Sequence, residues 1–280
     1  MALRSYEEHV VDHAGVRLFY RLWIPDRVKA VVIVAHGFGE HSGNFVELAG
    51  RLADEGCAVY APDHYGHGQS GGARGYIPSW DVFHGELSLF REKAVRDFLD
   101  RPVFLYGHSM GGTIVLEYAA TEGEGLAGVV ASAPALSLEG IPPWRRTLGR
   151  LLAALLPGLR IPSGLDTGGL TRDPVMLKRL LSDPLSHGLG SPRLVVEMEG
   201  AIERCHERAP GLTIPLLVLQ GRRDHVVSPP ATERFFQHAG SSDKRLLWVE
   251  EGLHKLEHDL ARQHVLEEVL LWVRTHLPAR

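Results

Sequence analysis

Apolar residues along the chain fall into two kinds of pattern, short unbroken runs and longer stretches with helical spacing, and the two alternate. Ala30–Ala35 reads AVVIVA, the composition of a strand buried on both faces. Shorter runs at Ala58–Pro62, Val103–Tyr106 and Leu126–Ala133 predict further strands. Between them, Phe45, Leu48, Ala49 and Leu52 predict a helix over Asn44–Gly56, and helices are expected at Trp80–Leu99 and Met110–Thr121. Ahead of this alternation, Val10–Val11 and Val16–Trp23 read as an antiparallel pair turned at His13-Ala14-Gly15. From about Leu136 to Pro210 the rhythm lapses into helical patterns rich in Pro and Gly, with no convincing strand. It resumes with a strand at Ile214–Leu219, a helix at Ala231–His238, a strand at Leu246–Val249 and a helix at Ala261–His276.

This alternation predicts an α/β protein: a mostly parallel sheet flanked by helices, with a helical cap inserted before the last two strands. Residues 1–135 and 211–280 would form the core, and residues 136–210 the cap. In such sheets the ligand site lies beyond the carboxyl ends of the strands.

Composition removes several classes of function. A length of 280 residues allows a large core, and a net charge of −4 offers no basic field for nucleic acid or anionic lipid. No nucleic-acid partner is expected. The segment Met1–His9 is too polar for a secretory signal, and no apolar run approaches the ~18 residues of a membrane span. Cys57 and Cys205 cannot make a disulfide framework and read as two reduced thiols of a cytoplasmic protein.

The chemistry concentrates in four stretches. Gly107-His108-Ser109-Met110-Gly111 fits G-x-S-x-G between an expected strand and an expected helix, the context of a strained elbow that lifts a nucleophilic serine above a sheet. An oxyanion hole for Ser109 needs two amide donors. They are expected from Met110 and from Phe38 in the loop His36-Gly37-Phe38-Gly39-Glu40 that follows Ala30–Ala35. His36 itself reads as a structural hydrogen-bonder. Asp224, just past Ile214–Leu219, is the expected acid, and His254, after Leu246–Val249, the expected base; the chain order Ser, Asp, His fits. His254-Lys255-Leu256-Glu257-His258 also matches H-x-x-E-H, a zinc pattern that would leave the serine elbow unexplained. No metal and no cofactor are expected. His64 and His67, in the Gly-rich loop after Ala58–Pro62, read as structural, and His258 as solvent-facing or buttressing the site.

Within the expected cap, Trp144, Leu148, Leu151, Leu152, Leu155 and Leu156 share one helical face, with Arg146 and Arg150 opposite. Packing on the core is the plain expectation for that stripe. A lid surface lining an acyl tunnel or resting transiently on membrane or micelle is the other.

Taken together, HGFGEHSGNF (36–45), PDHYGHGQSGG (62–72), GHSMGG (107–112), SDPL (182–185), LLVLQGRRDHVVSP (216–229) and EEGLHKLEHDL (250–260) resemble the monoacylglycerol lipase and lysophospholipase branch of the α/β-hydrolases. The resemblance spans nearly the whole chain. It implies the same triad and oxyanion amides, and it puts the acidic residue of the family's H-G-x-G-E-H motif on Glu40. Glu40, Asn44 and His108 are the expected substrate-binding residues. The implied activity is hydrolysis of carboxylic esters, with monoacylglycerols or related lipid monoesters as substrates, through an acyl-enzyme on Ser109. A general carboxylesterase of short or medium acyl esters would use identical machinery. Two departures bear on that choice: the family carries Arg where this chain has Asn44, and Tyr where it has Leu180, both at the glycerol end.

Overall fold

The computed structural model describes residues 5–138 and 143–277. In chain order the strands are β1 (Glu7–His13), β2 (Val16–Trp23), β3 (Ala30–Ala35), β4 (Cys57–Pro62), β5 (Val103–His108) and β6 (Leu126–Ser132). Then follow β7 (Ile161–Pro162), β8 (Leu189–Gly190), β9 (Leu216–Gly221) and β10 (Lys244–Val249). Eight of them form one sheet in the order β1-β2-β4-β3-β5-β6-β9-β10. Both pairings of β2 are antiparallel, and every pairing from β4 to β10 is parallel. β1 turns into β2 through Ala14 and Gly15, both at positive φ, as a two-residue hairpin requires.

The central strands are buried on both sides, so alternate residues feed two separate cores. Val31, Ile33, Leu105, Val129, Leu216 and Val218 face one core; Val32, Val34, Phe104, Val130, Leu217 and Leu219 face the other. The first core is closed by α2 (Asp81–Asp97), α3 (Met110–Glu122), α6 (Pro192–Arg208) and α7 (Pro229–His238). The second is closed by α1 (Val46–Asp54) and α8 (Arg262–Thr275). Cys57 lies in the second core and Cys205 in the first, so the sheet separates two free thiols.

Between β6 and β9 the chain leaves the sheet for α4 (Pro143–Leu155), α5 (Pro174–Leu181) and α6. α5 and α6 each begin with a capping side chain followed by proline. Asp173 accepts from the amides of Val175 and Met176 (3.0 and 3.2 Å), and Ser191 accepts from Leu194 (3.2 Å). Leu194, Ala201 and Cys205 join the first core, so α6 is packed into the body of the protein. Among the described residues no helix is long and apolar enough to cross a membrane.

Three expectations are corrected here. The segment expected to hold no strand contains the pair β7–β8, two residues each; Pro162 and Gly190 within it erase any alternating signal. The helix expected from Asn44 begins as a 3-10 turn at Ser42–Phe45, where His41 Nδ1 accepts the Gly43 amide (3.1 Å), and becomes α-helical only at Val46. The apolar stripe of α4 does not pack on the core. Trp144, Leu148, Leu151, Leu155 and Leu156 are exposed and Leu152 is half-buried, while Arg150, itself exposed, reaches Glu199 of α6 (3.1 Å). The side chain of Arg146 lies outside the described residues.

Candidate active site

Ser109 stands between β5 and α3 at φ 55° and ψ −118°, a backbone conformation that costs about 1–3 kcal/mol for a residue with a side chain. The surroundings hold it there. Its amide donates to the Ser132 carbonyl (3.0 Å), and its carbonyl accepts from Ala135 and Thr113 (3.1 and 3.2 Å). Two glycines make the approach possible: a Cβ at Gly107 would sit 2.2 Å from the Gly111 carbonyl oxygen, and one at Gly111 would sit 2.1 Å from that of Ala35. The result is a hydroxyl at the N-terminus of α3, where the helix dipole favours negative charge.

The imidazole of His254 meets that hydroxyl. Ser109 Oγ lies 3.0 Å from His254 Nε2, and His254 Nδ1 lies 2.9 Å from Asp224 Oδ2. Because an ionised carboxylate only accepts, Nδ1 carries the proton and Nε2 is left to accept from serine. Asp224 is fixed in turn by the amides of Val226 and Val227 on Oδ1 (2.8 and 3.0 Å) and by Gln220 on Oδ2 (3.2 Å). Burial alone would raise the Asp224 carboxyl, but the neighbouring His254 and these hydrogen bonds hold it below its ordinary value. Ser109, Asp224 and His254 come from the loops after β5, β9 and β10, all at one end of the sheet.

The loop after β3 runs beside the serine, close enough that a Cβ on Gly37 would stand 3.1 Å from Ser109 Cβ. Met110 is the first residue of α3, so its amide has no intrahelical acceptor, and the Phe38 amide has no hydrogen bond among the described residues. The loop is held from both sides. Beneath it, His36 Nδ1 donates to the Gly37 carbonyl (2.8 Å), His36 Nε2 accepts the His64 amide (2.9 Å), and the ring of His67 lies 5.1 Å from that of His36. Above it, the His187 amide donates to the Gly39 carbonyl (2.9 Å), and His41 Nε2 pairs with Asp183 of the Ser182–Leu185 turn (2.9 Å).

The three remaining expected residues do not share one environment. Asn44 lines a groove of about 510 Å³ with Arg51, Met176, Arg179, His258 and Gln263. Glu40 is buried, and Lys255 Nζ lies 2.7 Å from its Oε1. Burial would raise the Glu40 carboxyl, yet Lys255 and His108 pull it down to about 2. His108 is almost fully buried, 3.5 Å from Glu40 through Nε2, with its ring 4.8 Å from that of His254. Burial holds its imidazole below the ordinary value, against the raising pull of Glu40 and Glu257.

Lys255 and Tyr106 escaped the sequence reading. Tyr106 donates to Glu257, which is how the acid of the H-x-x-E-H stretch is engaged. A lysine beside a histidine carries no sequence signal; only the fold brings Glu40 to it. Among the described residues no three His, Cys, Asp or Glu side chains converge as a metal site.

A strained serine at a strand-to-helix elbow and an imidazole bridging it to a buried carboxylate define a serine hydrolase on the α/β-hydrolase fold. The chain belongs to the serine aminopeptidase S33 family, whose model matches residues 26–261, and within it to the monoglyceride lipase-like branch. It is 33% identical over 267 residues to the monoacylglycerol lipase of Mycolicibacterium smegmatis, covering 94% of this chain and 95% of that one. It is 33% identical over 271 residues to human monoglyceride lipase, covering 95% and 89%. The crystal structure of Paleococcus ferrophilus monoacylglycerol lipase superimposes with a TM-score of 0.84 at 31% identity, over 92% of this chain and 99% of that one. These relationships make the protein a carboxylic ester hydrolase.

The buried imidazoles give the protein an acid sensitivity. His67 is lowered to about 3 and His258 to about 4, chiefly by burial. A histidine whose folded pKa is lowered contributes stability fully present above its unfolded value of 6.5, and that contribution is lost as pH falls from there toward the folded value. Melting temperature should therefore drop between about pH 7.5 and about pH 5, and His67→Asn should shrink the drop. An identical drop in that variant, measured by calorimetry, would mean that His67 titrates freely in the folded state.

Proposed function

We propose that Ser109, His254 and Asp224 are the nucleophile, base and acid of an ester hydrolase whose substrates are monoacylglycerols and related lipid monoesters. The observation that carries this is the 3.0 Å approach of His254 Nε2 to a serine hydroxyl, with Asp224 2.9 Å behind the same ring. His254 takes the Ser109 proton as the oxygen attacks the ester carbonyl, and Asp224 stabilises the imidazolium. The Phe38 and Met110 amides receive the oxyanion, each such donor being worth ~3 kcal/mol. The imidazolium then protonates the departing alcohol. Water, deprotonated by the same base, releases the acid from the acyl-enzyme.

The substrate class is supported by what the two one-third-identical relatives are named for, monoacylglycerol and monoglyceride hydrolysis. A general carboxylesterase is the second reading, and two side chains favour it. Leu180 is buried and without a hydroxyl, and Asn44, which lines its groove, has an uncharged side chain. Residues 136–210 serve as a cap in this reading, with α6 rooting that segment in the first core. The outward apolar face of α4, with Leu151 57% and Leu155 68% exposed, suits transient contact with a micelle or membrane surface. Two unbridged buried thiols favour a cytoplasmic location.

Ser109→Ala should retain the fold, lose labelling by a fluorophosphonate, and hydrolyse nitrophenyl esters roughly a thousandfold more slowly or worse. Ordinary turnover by that variant would remove the triad. For the cap, rates on a long-chain ester should rise as substrate passes its critical micelle concentration. Leu151→Glu with Leu155→Glu should flatten that rise while sparing a short soluble ester. An unaltered rise would end the surface-contact role of α4.

A further inference from the structure

We propose that Lys255 and Glu40 are positioning residues for His254: their ion pair ties the loop carrying the base to the loop carrying the Phe38 amide and balances the charge behind the imidazole. The inference rests on the roles given above to Ser109 and His254. Its ground is a juxtaposition that neither loop shows alone. Lys255 follows the base directly in the chain, and its ammonium is buried on the carboxylate of Glu40, two residues beyond Phe38. The pair sits where both halves of the reaction meet.

A pair in this position is not explained by stability, because removing two charges from water offsets most of what their attraction gains. Geometry offers another role. The backbone on the other side of the base loop is held by the insertion: the His254 amide donates to the Gly169 carbonyl (3.3 Å) and the Lys255 amide to that of Leu170 (2.7 Å). The ammonium–carboxylate contact is the tie toward the oxyanion loop. Together these restrain the distance between the proton acceptor and the amides that receive the oxyanion, which matters because small misplacements are costly in catalysis.

The charges around the imidazole can be enumerated. Asp224 faces Nδ1 from the β9 loop, and Ser109 faces Nε2 from the elbow. The ring of His108, at the end of β5, lies against it, with Glu40 3.5 Å from His108 Nε2 and Glu257 3.9 Å from Nδ1. Tyr106 donates to Glu257, and His258 completes the group. Lys255 is the one ammonium among these. Paired, it and Glu40 present a small dipole to His254; singly, each would present a full charge in a site sheltered from water.

The opposed signs give a test that a merely structural pair would fail. In Lys255→Met the unpaired carboxylate favours the imidazolium, so the acidic limb of the kcat/KM profile moves to higher pH. In Glu40→Gln the unpaired ammonium disfavours it, and the limb moves to lower pH. Shifts of roughly half a unit to one unit are expected in each direction. The double variant, with no charge left, returns the limb to its wild-type position yet keeps a lowered kcat with KM nearly unchanged, because the tie is gone. Lys255→Arg restores most of kcat. Limbs that stay in place, or move the same way in both single variants, overturn the proposal, as does a normal kcat in the double variant. If one single variant does not fold, the direction in the other, read with the double variant, decides. Wild-type enzyme and Ser109→Ala run alongside: an inactive wild type, or an active Ser109→Ala, indicts the triad reading and not the ion pair.

Discussion

At Gly111 the first turn of α3 lies so close to the end of β3 that a methyl group would stand 2.1 Å from the Ala35 carbonyl oxygen and 2.5 Å from that of His36. Much of the site follows from this contact. β3 and β5 are neighbours in the parallel sheet, with Ala35 opposite Gly107, so the turns leaving them emerge side by side. The turn after β5 can rise steeply only if nothing fills the space between it and β3. Once it does, the serine rises beside the loop that follows β3, close enough that a Cβ on Gly37 would stand 3.1 Å from Ser109 Cβ. The positive φ of Ser109 is the local cost, met by the hydrogen bonds to Ser132, Thr113 and Ala135.

The core was legible because its strands are buried on both faces and so carry unbroken apolar runs, as in Ala30–Ala35. The convergence of Ser109, Asp224 and His254 was legible because each sits in the first few residues after such a run, where sequence distance approximates spatial distance. Strand ends were less so: β9 was expected at Ile214–Leu219 and lies at Leu216–Gly221, since Gln220 and Gly221 extend the ladder without looking apolar. Contacts between loops were not legible at all. Nothing in the chain near Lys255 announces Glu40, and nothing near Gly39 announces His187.

The inserted segment was the least readable part, for a physical reason. Its helix α4 has the apolar stripe that normally predicts an inward face, yet Arg150 is the side chain that reaches α6. A hydrophobic pattern says that a helix is two-sided; it does not say which side meets the protein. The segment meets the site through backbone and through the Asp183 side chain, which pairs with His41. Gly169 and Leu170 accept from the amides of His254 and Lys255, and His187 donates to Gly39, so residues from this one segment brace the loops after β3 and β10.

The triad is also dispersed in time. Ser109 and its elbow lie in the first half of the chain, while Asp224 and His254 lie 115 and 145 residues further on. During synthesis at about 5–20 residues per second, Ser109 exists for many seconds before His254 emerges. β9 and β10 must then dock at the β6 edge of a sheet whose other strands come earlier in the chain. On the proposed roles, proton transfer from Ser109 becomes possible only once the last two strands have closed the sheet and brought His254 to it.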